Sequence, residues 1–121
     1  GEIRPLEEFY SYSAKYLDEN GAELIIPADL GSSQIERIRQ ISLDSFVALC
    51  CSGMARVDMF LTPDDRLVVN EINTIPGFTK ISMYPKLWEA SGIGFTELIS
   101  KLIELSVDRH REESSLMDSL E

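Results

Sequence analysis

At 121 residues, 44% of them hydrophobic and 8% aromatic, the chain has the makings of one modest folded domain with a core. A formal net charge of −10, uninterrupted by any Lys/Arg cluster, excludes nucleic acid and anionic membrane as principal partners. An anionic substrate would need a local device, such as a bound metal or a single arginine.

No apolar run approaches the roughly 18 residues of a membrane span, and no charged-then-apolar leader opens the chain. The cysteines, Cys50 and Cys51, are adjacent and badly placed for a strain-free disulfide, which predicts a reduced, cytoplasmic protein. Its first residue, Gly1, fits a processed product, a tag remnant or a piece of something longer equally well.

Residues 1–8 lack a sustained period, and Pro5 blocks a helix interior, which predicts an opening strand or loop. Phe9, Tyr10 and Tyr12, followed by Ala14-Lys15-Tyr16, read as extended chain or an ordered loop. Asn20-Gly21 signals a turn, and Ala22–Ile26 a short strand ending at Pro27, together a hairpin-like unit. Ser33-Gln34-Ile35-Glu36 has capping-box form, and Ile35, Ile38, Ile41, Ser42, Phe46 and Leu49 recur at helical spacing. The spacing predicts a helix over 33–50, with Arg37, Arg39 and Gln40 on its solvated face and the cysteine pair buried and inert at its end.

Two runs after that helix carry the chemistry. Met54–Phe60 and Asn70–Gly77 alternate apolar with polar residues around a break at Pro63-Asp64-Asp65, the pattern of a β-hairpin. A period of two puts Arg56, Asp58 and Phe60 on one face of the first strand, and Val69, Glu71 and Asn73 on one face of the second. With Asp64 and Asp65 as the central turn residues, Asp58 lies opposite Glu71 and Arg56 opposite Asn73; a slip by one residue would separate them. Facing carboxylates cost a plain sheet up to about 1 kcal/mol, which argues for a cation between them. On that reading, replacing either carboxylate with Asn leaves metal-free stability unchanged or slightly improved. The donors Asp58, Glu71 and the Asn73 amide are all oxygen, which suits Mg²⁺ or Mn²⁺ completed by water and phosphate. Two ordinary acids on a solvated face are the alternative, against which Arg56 weighs. A lysine brought near, such as Lys15, would neutralise phosphate charge.

Pro76-Gly77-Phe78-Thr79 closes the hairpin with a loop in which Gly77 lets backbone approach a ligand. Pro85 suits the first turn of a short helix through Trp88 to Ser91-Gly92. Thr96 can cap a last helix with Leu98, Ile99, Leu102, Ile103 and Leu105 turned inward. From Asp108 apolar periodicity is lost and 108–121 reads as a frayed, charged tail, whose His110 has no assigned role. Neither a Ser/His/Asp or Cys/His constellation nor a glycine-rich phosphate loop is present in the sequence.

Arg56-Val57-Asp58, the run Asn70-Glu71-Ile72-Asn73-Thr74-Ile75-Pro76-Gly77-Phe78 and the following Ile81–Trp88 resemble the C-terminal part of D-alanine–D-alanine ligases, of the ATP-grasp superfamily. The resemblance spans about residues 1–107, and the Asn-Glu-Ile-Asn-Thr-x-Pro-Gly run is its specific element. It implies an α+β fold, the ATP-grasp C-terminal subdomain, as an antiparallel sheet with helices packed on one face. It also implies ATP-dependent joining of two D-alanines through an acyl phosphate, for peptidoglycan, and allows a homodimeric parent enzyme.

By match to the family's motif, Asp58, Glu71 and Asn73 would hold a pair of Mg²⁺ or Mn²⁺ ions, with Glu71 bridging them. Lys15, Asn70 and Glu71 would serve ATP, and Phe9 would stack near its adenine. Arg56 would face the transferred phosphate, and the Gly77 N–H would donate to the oxyanion. Ser82 with the Met83 backbone would hold the carboxylate of the second D-alanine, and Tyr16 would cover that site as in dipeptide-forming members. Ser11 and Ser13 stand where the family often has acidic residues. The chain also lacks the family's N-terminal domain and central subdomain, so alone it is expected to be inactive. Another ATP-grasp carboxylate–amine ligase, and a non-catalytic metal- or partner-binding module, are the alternatives.

Overall fold

Residues 1–5, 22–79 and 81–118 are described by the structure, a computed structural model. The expectations for Phe9, Lys15, Tyr16 and the Asn20-Gly21 turn lie outside the described residues.

The opening segment is a strand, β1 (Glu2–Pro5), and it pairs antiparallel with β2 (Ala22–Ile25), Glu2 opposite Ile25. A helix, α1 (Ser32–Ala48), then leads to the hairpin strands β3 (Arg56–Leu61) and β4 (Leu67–Asn73). Among the described residues the two antiparallel ladders are separate two-stranded sheets. Two helices follow, α2 (Met83–Ala90) and α3 (Phe95–Asp118).

The N-terminus of α1 lies earlier than the sequence suggested, and only the backward half of a capping box forms. Extended Gly31 is the N-cap, and the Gln34 carboxamide oxygen accepts the Gly31 N–H at 3.1 Å. At the other end the Cys51 N–H donates to the Phe46 carbonyl and the Cys50 N–H to that of Val47, both at 3.0 Å. This is a Schellman closure, with Cys50 in the left-handed position at φ 51° where glycine is usual. Cys50 is therefore exposed rather than buried.

Isolated hairpins are marginal, and this one is held by α1. Arg37, expected on the solvated face, donates to the Asp65 carboxylate at 2.7 Å and to the Asp65 carbonyl at 2.9 Å. Gln34 Nε2 takes the other carboxylate oxygen at 2.7 Å. Hydrogen bonds from Gln34 and then Arg37 hold the Asp65 carboxyl below the usual range.

The turn differs from the two-residue form expected. The Thr62 N–H donates to the Arg66 carbonyl at 2.9 Å and the Asp65 N–H to the Thr62 carbonyl at 3.0 Å, enclosing Pro63, Asp64 and Asp65. Asp65 takes the left-handed conformation, φ 59°, that such a three-residue loop requires at its last position. A bulge between Asp58 and Met59 then makes Asn70 the extra residue of β4, so Phe60 faces Val68, and Val69 lies on the opposite face, across from Met59.

Behind the hairpin, Phe78 stacks at 5.8 Å on Tyr84 of α2 and at 5.3 Å on Phe95 of α3. Met83, Tyr84 and Leu98 are the buried hydrophobic residues here. α3 starts one residue before Thr96, with the Gly94 carbonyl accepting the Leu98 N–H at 2.9 Å. Of its apolar stripe only Leu98 is buried; Ile99, Ile103 and Leu105 are exposed, and the first two line an open groove of about 410 Å³ with Met54 and Phe78. The charged segment expected to fray is helical to Asp118, because its charges fall at helical spacing: Arg109 pairs with Glu113 at 2.7 Å and Arg111 with Asp108 at 3.3 Å. Among the described residues no helix is long and apolar enough to cross a membrane.

Two outcomes follow from these closures. Cys50→Gly relieves the left-handed strain and should raise stability by about 0.5–1 kcal/mol, read from the denaturation midpoint. The Asp65 link, with its depressed folded pKa, contributes fully above the ordinary aspartate pKa of about 3.9 and is lost as pH falls through the folded value. Arg37→Met should move the Asp65 titration, followed by carboxyl NMR, back up toward the ordinary value.

Candidate active site

The bulged register sets Arg56 opposite Asn73 and Asp58 opposite Glu71. Paired residues of a ladder share a face, so all of these side chains project from the same side of the hairpin. The cation expected between the carboxylates is, in this structure, a guanidinium. Arg56 Nε donates to Asp58 Oδ1 at 2.7 Å and Nη2 to Oδ2 at 2.8 Å, while Nη2 lies 3.9 Å from Glu71 Oε1. The fork is largely shielded, with side-chain exposures of 16% for Arg56 and 23% for Asp58.

Asn73 ends β4 and turns the chain, its Oδ1 accepting the Ile75 N–H at 3.1 Å. Pro76 beyond it is buried. Gly77 then passes close to Ser82: a Cβ added at Gly77 would meet Ser82 Oγ at 3.0 Å. The tight approach anticipated for a ligand is already made by this side chain. Ser82 is the N-cap of α2, with φ −67° and ψ 143°, yet its hydroxyl makes no cap hydrogen bond. Pro85, the third helical residue, lacks the N–H that an N-cap serine often takes. Ser82 Oγ instead receives the Thr79 N–H at 3.0 Å and lies 2.8 Å from Thr79 Oγ1.

Of the residues singled out in the sequence, the hairpin joins Arg56, Asp58, Glu71 and Asn73, and the loop joins Gly77 to Ser82. Asn70 stands apart as the exposed, unregistered bulge residue. Thr79 was read only as part of a closing loop; its spacing of three from Ser82, ahead of a proline, was the available signal.

A family model described as D-ala D-ala ligase C-terminus matches residues 1–104. The chain belongs to this family. It is 57% identical over 119 residues to a D-alanine–D-alanine ligase of Oceanobacillus iheyensis, covering 98% of this chain and 32% of that relative. The D-alanine–D-alanine ligase structure from Coxiella burnetii superposes with a TM-score of 0.79 at 53% identity, over 81% of this chain and 28% of the other. The Bacillus anthracis ligase complexed with ATP gives a TM-score of 0.66 at 38% identity, over 75% and 31% of the two chains. The chain thus spans about a third of the length of the curated relatives it matches.

The donor set suits a hard divalent cation. Among the described residues no group of three or more His, Cys, Asp and Glu is placed to hold a metal; the oxygen donors that the register puts on this face are the Asp58 and Glu71 carboxylates and the Asn73 amide. A carboxylate offers about four lone-pair sites, and the Arg56 fork uses two of those on Asp58. Two carboxylates and an amide oxygen on one face are the donor chemistry that suits a cation keeping water and phosphate ligands.

The shielded fork predicts, against the expectation from the sequence, that neutralising Asp58 has a cost. In metal-free buffer Asp58→Asn should lower stability by about 1–2 kcal/mol, by removing the nearer, bidentate carboxylate partner of a partly buried guanidinium. Glu71→Gln, whose carboxylate is 3.9 Å from Arg56, should cost less than that. Chemical denaturation of both variants checks the order.

Proposed function

We propose that this chain supplies the metal- and acceptor-binding part of an ATP-dependent D-alanine–D-alanine ligase. The observation that carries the reading is the bulged register setting Asp58 against Glu71 beside Arg56, in a chain of this family. In the reaction, the γ-phosphoryl group of ATP passes to a carboxylate oxygen of one D-alanine and ADP leaves. The amine of the second D-alanine then forms the C–N bond and phosphate departs, giving the dipeptide used in peptidoglycan.

Asp58, Glu71 and Asn73 would hold Mg²⁺ or Mn²⁺, which when bound neutralises charge on the transferring phosphate. Arg56, anchored through Asp58, presents its guanidinium on the same face and would meet the phosphate or the tetrahedral oxyanion. The Gly77 N–H would donate to that oxyanion. At the start of α2, the Ser82 hydroxyl and the Met83 N–H would take the carboxylate of the second D-alanine, where the helix dipole favours negative charge. Lys15 and Asn70 would serve ATP phosphates, Phe9 its adenine, and Tyr16 would cover the acceptor.

ATP-grasp enzymes hold nucleotide between two subdomains, of which this chain would be one, so the isolated chain is expected to be inactive. The cytoplasm, with its ATP and reducing conditions that keep Cys50 and Cys51 free, is the compartment this chemistry needs.

In a coupled ADP-release assay, the full-length polypeptide carrying this sequence should require both D-alanine and Mg²⁺ or Mn²⁺. Glu71→Ala in that polypeptide should lose at least about a hundredfold in kcat/KM. The 121-residue chain alone should release no ADP. ADP release that is indifferent to D-alanine, or turnover by the isolated chain, would overturn the assignment.

A further inference from the structure

A serine hydroxyl has one proton to give and two lone pairs that accept. Which of these faces a ligand depends on what occupies the others. At Ser82 the surroundings are unusually specific. The Thr79 N–H donates to Ser82 Oγ at 3.0 Å, and Thr79 Oγ1 sits 2.8 Å away, a separation at which either hydroxyl can be the donor. Gly77 closes another side, since even a methyl group there would come within 3.0 Å of the same oxygen. Ser82 takes no part in capping α2, although it occupies the N-cap position.

When Thr79 Oγ1 donates, both lone pairs of Ser82 Oγ are filled and only its O–H remains to be given. When Ser82 donates instead, its proton is spent on Thr79. An anion arriving at Ser82 selects the first arrangement, because that one leaves a proton for it and keeps every other site satisfied. Hydroxyl rotation is the only adjustment required, so the ligand selects the donor without any movement of heavy atoms.

We propose that Thr79 is a positioning residue that turns the Ser82 hydroxyl into a committed hydrogen-bond donor for the carboxylate of the acceptor amino acid. The proposal rests on the reading of Ser82 as the acceptor-carboxylate contact. Thr79 itself touches no reactant; it acts through Ser82.

The test uses the full-length polypeptide carrying this sequence, with D-alanine as acceptor and saturating ATP. Thr79→Val keeps the backbone N–H and the side-chain volume but removes the hydroxyl. It should raise KM for the second D-alanine about fivefold and leave KM for ATP unchanged. Thr79→Ser should restore the acceptor KM to within about twofold of the parent. Ser82→Ala should raise it about tenfold or more, and the double variant Thr79→Val/Ser82→Ala should be no worse than Ser82→Ala alone.

If Ser82→Ala raises the acceptor KM while Thr79→Val does not, the positioning role fails and the reading of Ser82 stands. If Ser82→Ala leaves the acceptor KM unchanged, both fall. Additive effects in the double variant, or a matching rise in KM for ATP, would overturn the positioning role by showing that Thr79 acts by another route.

Discussion

The three-residue turn Pro63-Asp64-Asp65 would, with unbroken pairing behind it, bring Asp58 opposite Asn70 and leave Glu71 on the far face of the sheet. One extra residue, Asn70, prevents this. The bulge advances β4 by a single position between Met59 and Asp58, and everything beyond it pairs in the register that sets Asp58 opposite Glu71 and Arg56 opposite Asn73. Because side chains alternate faces along a strand, that single position separates carboxylates that share a cation from carboxylates that never meet. The turn is itself held from outside, by Gln34 and Arg37 of α1 gripping Asp65. A helix that carries none of the candidate site residues thus fixes the end of the hairpin from which the register is counted.

The bulged register also explains how adjacent acids are tolerated. Facing carboxylates are unfavourable, and Arg56, two residues from Asp58 on the same face, lies across both of them. Its fork leaves lone pairs on Asp58 unused, so the pairing that stabilises the strand does not consume the donor set. A second economy of the same kind operates at the loop. Pro85 withholds the N–H to which the Ser82 side chain would ordinarily bond, and the hydroxyl turns to Thr79. In both places a side chain with several hydrogen-bonding sites has some of them occupied locally, and the remainder acquire a direction.

Much of the fold was legible from pattern. The apolar spacing of Ile35, Ile38, Ile41 and Phe46 marked α1, and the alternation around Asp58 and Glu71 marked the hairpin, to which the resemblance attached a chemistry. The predicted pairing of Asp58 with Glu71 was correct for the wrong reason. A two-residue turn without a bulge and a three-residue turn with one give the same register beyond Asn70, and two errors of one residue cancelled. They did not cancel at Val69, which the bulge places on the other face. The helical run after Asp108 was hidden because apolar periodicity was the only signal sought, whereas the ion pairs Arg109–Glu113 and Arg111–Asp108 support a helix without it.

What the sequence determined by itself was the inventory: which residues carry hard oxygen donors, where most of the helices and strands would form, and, through one specific run, the family. These follow from side-chain chemistry and local periodicity, which act over a few residues. Tertiary structure decided the rest. The grip of Arg37 on Asp65 joins positions far apart in the chain, and the left-handed backbone at Cys50 runs against the preference of its side chain. The hydrogen bonding of the Ser82 hydroxyl depends on where Thr79, Gly77 and Pro85 stand relative to it. Each is a balance between a local preference and a contact made elsewhere, and such a balance is struck only when the chain has folded.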